Sequence, residues 1–273
     1  MHGNGRVILI TGATDGIGLS LARRAVTEFD KVIIHGRNQD KCKAVKEQLI
    51  KFAECRSAVE YEVCDFFYSE RVFEFIDKVC RENSDLYAVI NNAGIFNTTY
   101  ELNSWGLESM YAVNHFAAYI IQTELAKKEC GVRHILNTGS LAHLHAKFDP
   151  STAMVAPEKF NYHKSYAMSK LCCIMQTYLG EQEAIQRELR INCYDPGFLN
   201  TKLTRNGWDM QAKDDFSSAV DDVFYILNEF GESFRYIKDK SILDSSKETV
   251  NTSKWKQLSE FDDGLIERIK NDG

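Results

Sequence analysis

Tyr166 and Lys170 lie four residues apart in Tyr166-Ala167-Met168-Ser169-Lys170, inside a stretch that predicts a helix. Side chains four apart share one helical face, so the ammonium can sit beside the phenol. A free tyrosine, with a pKa of about 10, is a poor base at neutral pH; lowering it by ~3 units, worth about 4 kcal/mol, makes it a usable proton donor and acceptor. A neighbouring cation favours the phenolate. In isolation the same spacing is an ordinary helix-surface pair. Ser140 closes the apolar run ending Asn137-Thr138-Gly139-Ser140. Its hydroxyl either donates to a carbonyl held beside Tyr166 or caps a turn. Asn114 interrupts the helical apolar stripe Met110, Val113, Ala117 and Ile121, and a buried amide needs partners. It either bonds a neighbouring backbone carbonyl or holds a water in a proton chain leading from Lys170.

A second group of residues could hold a dinucleotide. Thr11-Gly12-Ala13-Thr14-Asp15-Gly16-Ile17-Gly18 stands between a predicted strand and a predicted helix. There, glycine lets the backbone turn tightly and approach a pyrophosphate, and the helix N-terminus offers unpaired N–H groups. The glycine spacing alone also describes a plain strand-to-helix turn. His35-Gly36-Arg37-Asn38 ends the second strand, about 20 residues on, where an acid would bind the ribose 2′-hydroxyl of NAD. No acid is present. Gly36 leaves space and the Arg37 fork suits a 2′-phosphate, which predicts NADP(H) over NAD(H); without a ligand Arg37 is a solvated surface cation. Asp65 in Cys64-Asp65-Phe66, and Asn91-Asn92-Ala93-Gly94, follow the third and fourth strands, at the sheet edge where such folds bind ligands. Both are also turn formers in their own right.

The elements that must position these residues alternate regularly. Apolar runs at Arg6–Thr11, Lys31–His35, Ala58–Val63, Leu86–Ile90, Val132–Thr138 and Arg190–Tyr194 predict strands. Amphipathic stretches around 69–83, 106–129 and 163–189 predict helices. That pattern predicts a single α/β domain, a Rossmann-type doubly wound parallel sheet covered on both faces. The chain has 273 residues, 44% hydrophobic and 26% charged, ordinary usage for one large globular domain. With 33 Lys+Arg against 39 Asp+Glu the net charge is −6, which argues against nucleic-acid binding. No run is long enough to span a membrane, and no signal peptide is evident at Met1-His2-Gly3-Asn4-Gly5. Eight cysteines without metal-site spacing predict free thiols and a cytoplasmic location. His143, His145 and His163 lack acidic or cysteine partners at ligand spacing, so no metal is expected; His143 is expected to line or brace the substrate pocket. The segment 142–164 is either a substrate lid or an inconsequential surface loop. Residues 239–270 read as a charged tail with Trp255 and Leu258 as docking points.

Taken together, Thr11–Gly18, Asp65, Asn91–Gly94, Asn114, Ser140, Tyr166–Lys170 and Pro196-Gly197-Phe198-Leu199-Asn200-Thr201 resemble the short-chain dehydrogenase/reductase family over about residues 6–240. Val113-Asn114-His115-Phe116, Ser140-Leu141-Ala142-His143, Tyr162–Lys170 with Leu171, and Gly231…Arg235-Tyr236 followed by Trp255 are similar to its retinol-dehydrogenase-like and WW-domain-oxidoreductase-like branch.

The resemblance implies a catalytic domain over 1–240 with a docked tail over 241–273. It implies Tyr166 as proton donor and acceptor, Lys170 lowering its pKa and holding the nicotinamide ribose, Ser140 orienting the carbonyl, and Asn114 anchoring a proton relay. It also implies that Gly12, Thr14, Asp15, Gly16, Ile17 and Gly18 cradle the pyrophosphate and that Arg37 and Asn38 take the 2′-phosphate end. Asp65 and Phe66 would lie near the adenine, Asn91, Ala93 and Gly94 along the ribose, and Pro196, Gly197, Leu199 and Thr201 near the carboxamide and phosphate. The implied reaction moves a hydride between NADP(H) and a small-molecule carbonyl or alcohol. Phe96, Leu144, Phe148, Leu203 and Trp208, on loops 95–105, 141–162 and 202–215, suggest a hydrophobic substrate. The runner-up reading is a dinucleotide-binding regulatory protein with little turnover. Two departures stand out: Asp15 takes a place where many NADP-preferring members carry a basic residue, and Thr138 replaces a serine common in that branch. Family members often pair through the helices at 106–129 and 163–189, so a homodimer is expected.

Overall fold

A computed structural model describes residues 5–272 except 53–54, 56, 129, 180–183, 185–186 and 208–214. Eight strands form one sheet among the described residues, in the order β3-β2-β1-β4-β5-β6-β7-β8. They are β1 Val7–Ile10, β2 Lys31–Gly36, β3 Ala58–Val63, β4 Leu86–Asn91, β5 His134–Thr138, β6 Arg190–Tyr194, β7 Tyr236–Lys238 and β8 Ser241–Ile242. β1 to β7 pair in parallel and β8 returns antiparallel on β7. The six expected strands are all present; β7 and β8 are too short for periodicity to reveal.

Alternation along β1 shows why the run must be apolar throughout. Val7 and Leu9 join the core on one face of the sheet, Ile8 and Ile10 the core on the other. Helices α1 Gly16–Glu28, α2 Gln39–Ile50 and Ser217–Asn228 cover one side. On the other lie α3 Ser69–Glu82, α4 Ala117–Lys127, α5 Tyr162–Leu179 and the C-terminal Thr252–Asp272. With the short helix Lys202–Gly207 numbered α6, the last two in chain order are α7 Ser217–Asn228 and α8 Thr252–Asp272. The chain reverses direction across the sheet between β1 and β4, and the crevice at that switch point is where such folds bind ligands.

The expected charged tail is instead α8, a 21-residue helix. Leu258, Leu265, Ile266 and Ile269 are buried at helical spacing, and Trp255 stacks on Tyr178 at 5.4 Å. α8 lies across α4 and α5, with Asp263 bonded to Tyr119 and Lys270 to Glu124. The outer face through which a homodimer was expected is therefore occupied by the chain's own last helix. All eight cysteines are free thiols, as expected.

Candidate active site

The glycine turn is built by contacts that exclude side chains. Gly12 and Gly16 have φ of +65° and +51°, values that L side chains rarely adopt. A Cβ on Gly18 would stand 2.2 Å from the Gly12 carbonyl oxygen. Asn92 Nδ2 donates to the Thr11 and Gly12 carbonyls at 2.9 and 3.2 Å, tying the turn to the end of β4. The Asp15 carboxylate caps α1, accepting the Gly16 N–H at 2.9 Å, and pairs with Lys202 across the crevice. The Lys202 hydrogen bond holds the Asp15 carboxyl below its ordinary range.

Contrary to the sequence expectation, Gly36 does not leave space for a ligand: a Cβ there would meet Thr14 Cγ2 at 2.6 Å and Cys42 Sγ at 2.9 Å. Its role is to let the Thr14 segment close on β2. Arg37 is exposed at the mouth of β2, and Asn38 spends its side-chain oxygen capping α2 through the Lys41 N–H. Asp65 turns the chain by accepting the Phe67 N–H. Phe66 is buried, its ring stacked 4.1 Å from His35, so only its backbone is left for a ligand. Asn91 is buried with Nδ2 bonded to Asn137 at 2.9 Å, while its Oδ1 has no partner in the protein. Ile17, in the first turn of α1, packs against the core. Pro196 and Gly197 form a turn fixed by Asp195, whose Oδ1 accepts the Gly197 N–H at 2.7 Å and whose Oδ2 accepts the Tyr236 hydroxyl. Leu199 is buried, and Thr201 lies 3.5 Å from a Cβ built on Gly16. This cradle fits a dinucleotide: a glycine turn with no room for side chains and a helix N-terminus stand at the carboxyl edge of the sheet, with Arg37 exposed at the end of β2.

The reacting groups meet at the carboxyl end of β5. Tyr166 is 5% and Lys170 4% exposed, and Lys170 Nζ lies 6.0 Å from the phenol ring centroid. Ser140 lies close enough to the Tyr166 phenol to lower its pKa, and Lys170 donates to the Thr138 carbonyl at 2.9 Å. Lys170 also stands 3.9 Å from a Cβ built on Gly94, beside Ala93, whose N–H donates to Thr11 Oγ1. Tyr166 differs from expectation. Burial raises its pKa above the ordinary 10, outweighing the lowering by Lys170 and Ser140. In the protein alone the phenol is held protonated, and a second nearby cation is needed to lower it. Lys170 loses stability as a cation through burial but gains more from Tyr166 and other nearby groups, so its pKa is raised.

Asn114 makes the backbone bond that its sequence position allowed. Its Oδ1 accepts the Ile95 N–H at 2.7 Å, and its Nδ2 donates to the Ile95 carbonyl at 3.0 Å and to Ser169 Oγ at 3.0 Å. Its side chain fixes the backbone after β4. The residue lies inside a π-helical turn, Tyr111–Phe116, preceding α4, a rare element concentrated at functional sites.

Two bracing residues, His35 and His115, carry little sequence signal. The Gly12 N–H donates to His35 Nδ1 at 3.2 Å, and His35 Nε2 donates to the Cys64 carbonyl at 2.9 Å. His143 braces as expected, donating from Nδ1 to the Ser140 carbonyl at 2.7 Å. His115 bonds Asp262 of α8. Of the expected pocket residues, Phe96 and Leu203 cluster with Tyr166. Leu144 is exposed, Phe148 packs on the α3–α5 side of the core, and Trp208 lies outside the described residues. The 142–164 segment forms three 3-10 turns. Behind it a cavity of about 740 Å³ reaches Ser165 and Met168 of α5 but not Tyr166.

A family model for short chain dehydrogenase matches residues 6–212. The chain belongs to the short-chain dehydrogenase family. Human polyprenol dehydrogenase is 29% identical over 213 residues, 74% of this chain and 63% of that protein. Human retinol dehydrogenase 13 is 26% identical over 204 residues, 74% and 61%. The WW domain-containing oxidoreductase of Drosophila melanogaster is 27% identical over 218 residues, 76% and 53%. The likeness is to the retinol-dehydrogenase-like branch, and the matches span less than two thirds of those relatives' lengths. Among solved structures, an uncharacterised protein from Mycobacterium Paratuberculosis superposes with a TM-score of 0.78 at 20% identity, covering 96% of this chain and 93% of that one. A short-chain dehydrogenase from Sphingobium yanoikuyae in complex with NADPH superposes at 0.65 with 18% identity, covering 96% and 95%. These likenesses show a short-chain dehydrogenase fold. No helix among the described residues is long and apolar enough to cross a membrane.

Proposed function

We propose that the chain is an NADP(H)-dependent oxidoreductase of the cytoplasm, interconverting a hydrophobic carbonyl compound and its alcohol. The observation that carries this reading is the buried Tyr166–Lys170 pair, its ammonium 6.0 Å from the phenol ring, with Ser140 near the phenol. Two hydroxyls converge on one point, and one of them has a buried cation next to it. When bound, the nicotinamide supplies or receives the hydride. In reduction, Tyr166 gives its proton to the substrate oxygen while Ser140 orients that oxygen; in oxidation Tyr166 takes the proton back. Lys170, fixed by the Thr138 carbonyl, stabilises the phenolate. Asn114 holds the Ile95 backbone that borders the pocket.

Arg37, exposed at the mouth of β2, supports NADP(H). Leu141, Leu144, Tyr162 and Phe198 are large apolar side chains left exposed on segments that follow Ser140, begin α5 or follow β6, and exposed apolar surface of this kind favours an apolar ligand. The test is a panel of apolar aldehydes and ketones assayed by NADPH absorbance beside Tyr166→Phe. Turnover in the wild type that falls by about 10²–10⁴-fold in the variant, with NADPH still bound, is expected. NADPH binding without turnover on any member would favour a dinucleotide-binding regulatory protein.

A further inference from the structure

Two of the residues at the site are held from behind by the far end of the chain. Asn114 lies in the π-turn, flanked by Tyr111 and His115. The Tyr111 hydroxyl donates to Asp262 Oδ1 at 2.8 Å, and His115 Nε2 donates to Asp262 Oδ2 at 2.7 Å. His115 and Asp262 are 0% exposed and Tyr111 2%. One carboxylate of α8 therefore grips the outer side of the turn, while the Asn114 amide grips Ile95 and Ser169 on its inner side.

Ser140 repeats the arrangement. Its carbonyl accepts from His143 Nδ1, and His143 Nε2 accepts the Ser246 N–H at 3.2 Å. Ser246 is tied to α8 in turn: Thr249 Oγ1 donates to the Ser246 carbonyl, and Trp255 Nε1 donates to the Thr249 carbonyl. Docking alone does not call for a buried carboxylate. Leu258, Leu265, Ile266 and Ile269 already bury the apolar face of α8, and placing a charge among them carries a desolvation cost that an apolar residue would avoid.

We infer that residues 243–272 form a clamp on the catalytic groups, with Asp262 positioning Asn114 through His115 and Tyr111, and Ser246 positioning Ser140 through His143. The effect on turnover rests on the oxidoreductase reading; the effect on geometry does not. Asp262 touches neither substrate nor dinucleotide and acts only through the two side chains it holds.

The test compares full-length Asp262→Ala and Asp262→Asn. Four measurements are made: the NADPH dissociation constant by fluorescence, kcat and KM on a carbonyl found by the panel, amide exchange over 111–116, and the NMR resonance of the Asn114 side-chain amide. Asp262→Ala is expected to leave NADPH affinity within about twofold and to lower kcat by about 10²-fold, the scale of an ångström-level misplacement. It should also shift the Asn114 resonance and speed exchange over 111–116. Asp262→Asn keeps the shape and the Tyr111 bond and is expected to recover most of kcat. An Asp262→Ala protein with unchanged kcat and an unmoved Asn114 resonance overturns the clamp. So does an Asp262→Asn protein, folded by its thermal melt, that is as impaired as the alanine variant. If the wild type turns over no carbonyl, the oxidoreductase reading fails by itself, and the clamp is decided by the Asn114 resonance and the exchange rates.

Discussion

His35 Nδ1 accepts the backbone N–H of Gly12 at 3.2 Å, so a buried ring at the end of β2 fixes the turn that starts the glycine cradle. The ring can accept only while Nδ1 is unprotonated, because Nε2 already donates to the Cys64 carbonyl. Burial depresses its pKa from 6.5 to about 4, with the Cys64 bond opposing. The unfolded chain takes up a proton that the folded ring refuses, so stability is full above about pH 6.5 and falls as pH drops toward about 4. His134, also buried, adds to the same window. Urea midpoints should decline across it, and NADPH affinity should fall with them. His35→Gln should flatten part of the slope; an unchanged slope would refute the assignment.

Arg37 stands exposed where a 2′-phosphate would be read. Arg37→Ala should weaken NADPH binding by about 10–100-fold, the scale of charge-assisted hydrogen bonds, and leave NADH binding unchanged. Fluorescence titration of both nucleotides decides it, and equal losses for the two would remove the basis for NADP(H) preference.

Lys170 opposes the effect of burial on Tyr166. Lys170→Met should therefore move the rising limb of alcohol oxidation to higher pH, since a phenol without its cation ionises later. A pH–rate profile that keeps its midpoint while losing amplitude would assign Lys170 to dinucleotide binding alone.

His115 titrates in the opposite sense from His35. Burial lowers its pKa, but the Asp262 charge and hydrogen bond outweigh burial and raise it from 6.5 to about 9. The stability it contributes is fully present below about pH 6.5 and is lost as pH rises through about 9. The groups facing it are Asp262, Tyr111, Tyr119 and Cys173; Tyr111 is pushed well above its ordinary range by burial and so does not titrate there. Urea midpoints should fall between about pH 7 and pH 9.5, and His115→Gln should remove that fall. A level wild-type profile would contradict it.

The parallel sheet and the pairing of Tyr166 with Lys170 were legible because each is encoded locally. Strands buried on both faces read as continuous apolar runs, and Tyr166 and Lys170 share a face through helical spacing alone. The π-turn at Tyr111–Phe116 was not legible, since its extra residue is stabilised by Asp262, far away in sequence. α8 was legible in part: Trp255 and Leu258 were read as docking points and do dock, but the helix itself was not read from the stripe of Leu258, Leu265, Ile266 and Ile269, which Asp262 interrupts. Gly36 was assigned an open space because sequence does not reveal that Thr14 fills it.

With α8 folded over α4 and α5, most of the described residues of those two helices are buried by the chain itself. A protomer that shields itself should be as active dilute as concentrated. Its specific activity should stay level from nanomolar to micromolar enzyme, and a bulky fusion appended beyond Asp272 should disturb the reacting groups more than one placed before Val7.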